Sequence, residues 1–287
     1  MIALLLLAAC TPPGTLDTAG PDVGTCGPEG GRSFWVVSAM DFARIEDGVS
    51  DGFDLDGEVT DVGDRSGCGV GDAISPTGEE GIDNAFGRML PALDGTEFAA
   101  AAGLIAATIA SGELMLIAEV SGADAWPDDD CVSASVYRGA GAPMLTTGGT
   151  ILPDQTLDLD PDFPAQQFEQ AELVDGSVVG RPLTAQLPLQ ILDASLVFEL
   201  LDGAVRLDIH EDGSATGVLA GGINIAYLMT LLEEQAAGVD DGLVQLIESL
   251  LPLMADLAPD ASGSCTQVSS AFTFEAVPVF VYEDALP

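Results

Sequence analysis

Apolar and polar positions alternate through much of the chain from residue 32 onward. The run Ser33-Phe34-Trp35-Val36-Val37-Ser38-Ala39-Met40 reads as a strand, as do Glu113–Val120 and Cys131–Arg138, the last alternating apolar with small polar side chains. Further along, Leu196–Leu201 and Ala204–His210 flank Asp202-Gly203, a dipeptide suited to a two-residue hairpin turn. Asp212-Gly213 repeats the device before Ala215–Leu219. The pattern predicts a β-meander. A last strand runs from Ala271 through Ala276 towards Tyr282, and Pro278, which lacks an N–H, marks an edge or a bulge near its end.

Elsewhere the period changes to that of a helix. Gly95 to Gly112 is rich in Ala, Leu and Ile, with Thr96 placed to cap it and Glu97 in its first turn. Its apolar stretch is too short to span a bilayer and predicts a buried helix. Asn224 and Asp240 are placed to cap two more helices. In the second, Leu243, Leu246, Ile247, Leu250, Leu251, Met254 and Leu257 keep helical spacing, and Pro252 should kink or break it. The expected fold is mainly β: an antiparallel β-sandwich over 32–287, a single domain with about three inserted helices near 95–112 and 224–258.

Composition narrows the chemistry. Among 287 residues there are 7 basic side chains, all Arg, against 47 Asp and Glu, for a formal charge of −40. Hydrophobic residues make up 47%, which separates this chain from a disordered acidic tail. Without Lys there is no Walker A lysine, no Schiff-base lysine and no Ser-x-x-Lys pair. A single His excludes a His-x-x-x-His zinc site. The charge repels nucleic acid and makes divalent cations natural partners.

The N-terminus carries a more specific signal. Residues 2–9 are apolar and are followed by Cys10, and Leu7-Ala8-Ala9-Cys10 resembles the lipobox of bacterial lipoproteins. No Lys or Arg precedes the apolar run, a departure from the usual export signal. The resemblance implies a signal peptide over 1–9, a lipid on Cys10 and membrane anchoring through it. Thr11, where Asp would favour inner-membrane retention in that family, leans towards the outer membrane. Residues 10–31, rich in Thr, Pro, Gly and Asp, then form a tether. Cys26, Cys68, Cys131 and Cys265 remain, an even number that in an exported chain predicts two disulfides. Three pairings are possible. The preferred one joins the two ends through Cys26–Cys265 and leaves Cys68–Cys131.

Residues 46–81 are dominated by Asp and Gly, and a loop of that length is expected to be functional or ion-stabilised. Asp51, Asp54 and Asp56 alternate with glycines that permit sharp turns, a pattern that converges oxygens on Ca²⁺. Asp83 and Asn84, with Asp129 and Asp130, are candidate ligands from separate loops. Gly-Phe-Asp-Leu-Asp-Gly (52–57) with the later Gly-Ile-Asp-Asn (81–84) resembles acidic envelope lipoproteins of Gram-negative bacteria, which implies a location and no activity. Gly48-Val49-Ser50-Asp51-Gly52 spells a nucleophile-elbow motif, but loop sequence follows it where a helix should. His210 reads as a surface strand residue, Trp35 as core, and Trp126 as the better ligand-contact candidate. The leading expectation is a non-enzymatic, lipid-anchored, Ca²⁺-stabilised domain that binds a protein or glycan partner or serves the envelope structurally. The alternatives are an anchored polysaccharide hydrolase with paired carboxylates and a carrier of an apolar ligand.

Overall fold

The computed structural model describes residues 31–64, 68–94, 101–191, 194–235 and 241–282. Cys10, Cys26, the proposed caps Thr96 and Asp240, and nearly all of the tether lie outside the described residues. The described residues form ten strands: β1 (Arg32–Phe42), β2 (Leu116–Ser121), β3 (Asp129–Ala140), β4 (Thr156–Leu159), β5 (Gln166–Val174), β6 (Ser177–Ile191), β7 (Ala194–Ile209), β8 (Ala215–Asn224), β9 (Leu257–Pro259) and β10 (Cys265–Val281). The helices are α1 (Leu90–Leu93), α2 (Ala101–Ser111), α3 (Ile225–Gln235) and α4 (Asp241–Leu250). Asn224 caps α3, its Oδ1 accepting the Tyr227 N–H at 3.0 Å. Pro252 ends α4 as expected, and the chain turns through a short 3-10 helix, Leu251–Leu253.

The mainly β architecture stands, as one large sheet that is antiparallel except where β4 runs parallel to β10, and its ladder returns on itself. β1 pairs β2, β2 pairs β3, β3 pairs β5, and β5, β6, β7 and β8 follow as neighbours. β8 then pairs β10, and β10 returns to β1, every step antiparallel. Eight strands therefore form a ring, which is closed between β5 and β6 only at their hairpin, by Leu173 with Val178 and Val174 with Ser177; beyond it β6 is paired with β7 alone. β4 bridges the ends of β3 and β10 from outside the ring, and β9 extends β10.

The interior is apolar and filled. Trp35, Leu116, Val136, Leu183, Val205, Leu219 and Phe274, one each from seven ring strands, surround a void of only about 30 Å³. Alternate positions such as Trp35 and Val37, or Leu183 and Ala185, supply the inward face, while β1, β8 and β10 bury residues on their outer faces as well. α2 packs against β1 and β6, which stand on opposite sides of the ring, so it crosses and plugs one end of the barrel. Ile105 and Ile109 are its buried anchors. The other end is open, with Trp35 as its floor and the indole Nε1 donating to the Gly213 carbonyl at 2.9 Å.

Two expectations need correction. Asp202-Gly203 is not a hairpin turn; it is a bulge inside the single strand β7. Asp202 adopts φ 49°, and the register against β8 slips between Leu201 and Ala204. The apolar runs on either side both pair with β6, and β8 joins from Leu201 onward, so continuing the strand keeps both runs on the β6 ladder. Gly203 is required there by close approach: a Cβ would lie 2.1 Å from the Ala220 carbonyl oxygen. Asp212-Gly213 does turn β7 into β8 as expected.

The preferred disulfide pairing is also overturned. Cys68 bonds to Cys265, with Cα atoms 6.0 Å apart. Cys131 is disulfide-bonded as well, so it is not the partner of Cys68. The 46–81 loop is the reason. It folds against the outer wall of the barrel, where Phe53 packs with Ala204, Val218, Ala220 and Ala271 in a small second core. That docking carries Cys68 to the start of β10.

Candidate metal centre

The Asp/Gly loop is held by short bridges and has no regular strand. Ala73 pairs with Ile82, Phe53 with Asp83, and Val49 with Ile74. These cross-links stack the turn at 52–58 on the segment 81–84. The outcome is a cluster of three carboxylates, Asp54, Asp56 and Asp83, each offering an oxygen within 4.8 Å of the others. It is the single such group of three His, Cys, Asp or Glu among the described residues.

The three acids differ in surroundings. Asp83 is almost completely buried and accepts the Leu55 N–H at 2.7 Å. Burial pushes its carboxyl up to about 8, and the nearby acids Asp56, Asp256 and Asp72 push the same way. Asp56 is raised too, first by desolvation, then by Asp72, Asp54 and Glu58 against one helpful backbone bond. Asp54 is half-buried; its Oδ1 accepts the Gly57 N–H at 2.6 Å. Gly81 sits at φ 82°, and a Cβ there would lie 3.2 Å from the Glu58 carbonyl oxygen and 3.5 Å from Asp54 Cγ. A backbone oxygen and a carboxylate therefore both border Gly81, and both are oxygen types that Ca²⁺ takes.

The remaining candidates are elsewhere. Asp51 lines a separate open groove with Asp41, Arg206 and Asp208. Asn84 is a structural bracket: its Nδ2 donates to the Ala43 carbonyl and to Ser50 Oγ, and its Oδ1 accepts from Gly87 and Ala271. Asp129 and Asp130 lie in another groove, with Asp124, Asp128 and Glu172. Asp129 accepts the N–H groups of Asp124, Ala125 and Cys131, which hold its carboxyl below the usual range. The three loops therefore do not converge as expected; two do.

No protein family, curated protein or solved structure matches this chain.

Two nearby acids escaped the sequence reading. Asp72 accepts both the N–H and the hydroxyl of Thr60, at 2.6 and 2.8 Å. Asp256 is buried and takes the Ser269 N–H at 2.8 Å together with the Ser269 hydroxyl. Burial raises Asp256 to about 6 although both serine donors lower it. Nothing in their spacing marks them, since they meet the cluster only through the docked loop. The Gly48–Gly52 motif has no catalytic geometry: Ser50 is buried, donates to the Asp51 carbonyl and receives Asn84 Nδ2. Among the described residues no helix is long and apolar enough to cross a membrane, which leaves strand spans unaddressed.

Proposed function

We propose that this chain is an exported, lipid-anchored barrel domain of the cell envelope, with the outer membrane as its location, and that Asp54, Asp56 and Asp83 hold a Ca²⁺ ion that locks its Asp/Gly loop. The observation that carries the metal reading is a buried carboxyl, Asp83, set against two others within 4.8 Å. Three acids that close repel one another and resist ionisation; a divalent cation turns the same charges into ligands. The domain then acts as a binding or structural module, with no reaction assigned to it.

Thermal unfolding in millimolar Ca²⁺ against chelator, at matched ionic strength, tests the metal. A ligand bound only by the folded state stabilises by about 2.7 kcal/mol at a hundredfold excess over Kd. The parent should gain Tm, whereas Asp54→Asn and Asp56→Asn should gain much less. An equal gain in all three would mean diffuse screening of the acidic surface and would remove the site. The anchor is tested separately by mass spectrometry of the protein purified from a Gram-negative host. The expected N-terminal peptide begins at a diacyl- or triacyl-modified Cys10, and Cys10→Ala should abolish membrane association. Unmodified Cys10 behind an intact Met1 would refute it.

A further inference from the structure

The open end of the barrel is a pocket of about 590 Å³, within the usual range for small-molecule sites, and barrel mouths are a common location for them. Its walls are the inward faces of the strand ends: Trp35 as floor, with Val120, Leu173 and Ile209 around it. Polar side chains are few: Ser33 on the β1 wall, His210 and Glu211 in the β7–β8 turn, and Trp126 in the β2–β3 loop.

Trp126 is a large aromatic side chain left 52% exposed, yet the loop that carries it is pinned. Asp129 holds the N–H groups of Asp124 and Ala125, at 2.9 and 3.2 Å. The Pro127 carbonyl accepts the Gly176 N–H at 2.9 Å, and Asp128 accepts the Asp175 N–H at 2.8 Å. Gly176, at φ 80°, lets the indole lie close: a Cβ there would be 3.2 Å from Trp126 Cη2. The ring is therefore presented at the mouth at little further ordering cost on binding.

We propose that this mouth binds a small organic cation with an apolar body. The body fits against Trp35, Val120, Leu173 and Ile209, and the ammonium meets the face of Trp126 and the carboxylate of Glu211. Charge selects this class. The lining contains a carboxylate and no Arg, and the whole chain carries −40, so cations are concentrated at the mouth and anions repelled. An indole face attracts an ammonium directly. The void beneath Trp35, about 30 Å³, is too small for an organic group, so the ligand rests on the floor and does not enter the barrel.

The test is a titration of the purified protein by tryptophan fluorescence and calorimetry at fixed ionic strength. The probes are benzyltrimethylammonium, phenylmethanesulfonate as an anion of similar shape, and a methyl hexopyranoside as a neutral sugar. Saturable, one-to-one binding of the ammonium alone is expected. Trp126→Ala should weaken it about tenfold and Glu211→Gln about three- to tenfold, given the usual strength of such contacts. A distant Asp64→Asn, which removes the same charge from the Asp/Gly loop, should leave affinity unchanged. Circular dichroism establishes that each variant is folded. Three results would overturn the proposal: equal weakening by Glu211→Gln and Asp64→Asn, binding of the glycoside but not the ammonium, and no saturable binding of any probe.

Discussion

Asp83 concentrates the residue-scale energetics. Its carboxyl titrates near 8 in the fold against 3.8 in the open chain. Between those values the folded form keeps a proton that the unfolded form has released, so the stability contributed by protonated Asp83 is full below about 4 and is lost as pH rises towards 8. Asp256, near 6, acts in the same direction over a narrower window. Carboxyls held low by hydrogen bonds, such as Asp129, Asp212 and Asp260, act oppositely and only at pH below the ordinary carboxylate value. Asp83→Asn should therefore raise Tm at pH 8 in chelator and change it little at pH 5. Because Ca²⁺ needs ionised ligands, the parent's Ca²⁺-induced gain should be larger at pH 8 than at pH 5 and should vanish in the variant. Unfolding curves at the two pH values, with and without Ca²⁺, check both signs. A parent and variant with parallel pH profiles would show that Asp83 is not the titrating group.

At the scale of the element, the β7 bulge is the most constrained feature. Asp202 and Gly203 absorb an extra residue so that β7 stays paired with β6 on both sides of the bulge and takes up β8 from Leu201 onward. A methyl group at 203 would press on a backbone oxygen, which cannot rotate aside. Gly203→Ala should cost about 2–3 kcal/mol, in the range of overpacking penalties, read as a lower urea midpoint with an unchanged slope. A mutation at a free hairpin turn would cost far less. The same measurement therefore separates a bulge from the turn that the dipeptide predicts. The outer face of β1–β2–β3 holds another fixed element: Glu119, buried, is paired with Arg32 and accepts the Tyr137 hydroxyl at 2.7 Å. This pairing supplies partners for a carboxylate that would otherwise be costly to bury.

For the whole molecule, the Cys68–Cys265 bond ties the docked loop to the last barrel strand across 197 residues of sequence. A cross-link closing so long a loop should stabilise by about 5 kcal/mol on a chain-entropy account. Cys68→Ser with Cys265→Ser should lower the urea midpoint accordingly and weaken the Ca²⁺ response, because the loop that carries Asp54 and Asp56 loses its tether. Cys131 is also bonded; if Cys10 carries the proposed lipid, the expected partner of Cys131 is Cys26. Peptide mapping of the unreduced protein should find Cys26–Cys131 beside Cys68–Cys265. Any peptide joining Cys68 to Cys131 would contradict the arrangement.

Much of this was legible in the order of residues. Alternation located β1, β2, β3, the strands flanking Asp212-Gly213 and the last strand, because a half-buried strand writes its burial into every second position. Asn224 announced a helix start and Pro252 a helix end through groups that act within a turn of themselves. β6 also alternates, in Leu183-Thr184-Ala185-Gln186-Leu187, but carries Pro182 and Pro188; in β5 the alternation breaks at Glu169-Gln170, where the register against β3 slips between Val132 and Ala134. Those prolines are tolerated because the register is interrupted beside Pro182, between Gly180 and Leu183, and because Pro188 lies in the part of β6 paired with β7 alone. Closure of the ladder, the fate of Asp202-Gly203 and the disulfide partners were decided only in three dimensions. Each depends on which strand lies beside which, a relation between positions far apart in sequence that local pattern does not encode. The acid cluster divides the same way: Asp54 and Asp56 are neighbours by sequence, and Asp83 joins them only because Phe53 docks the loop on the barrel wall.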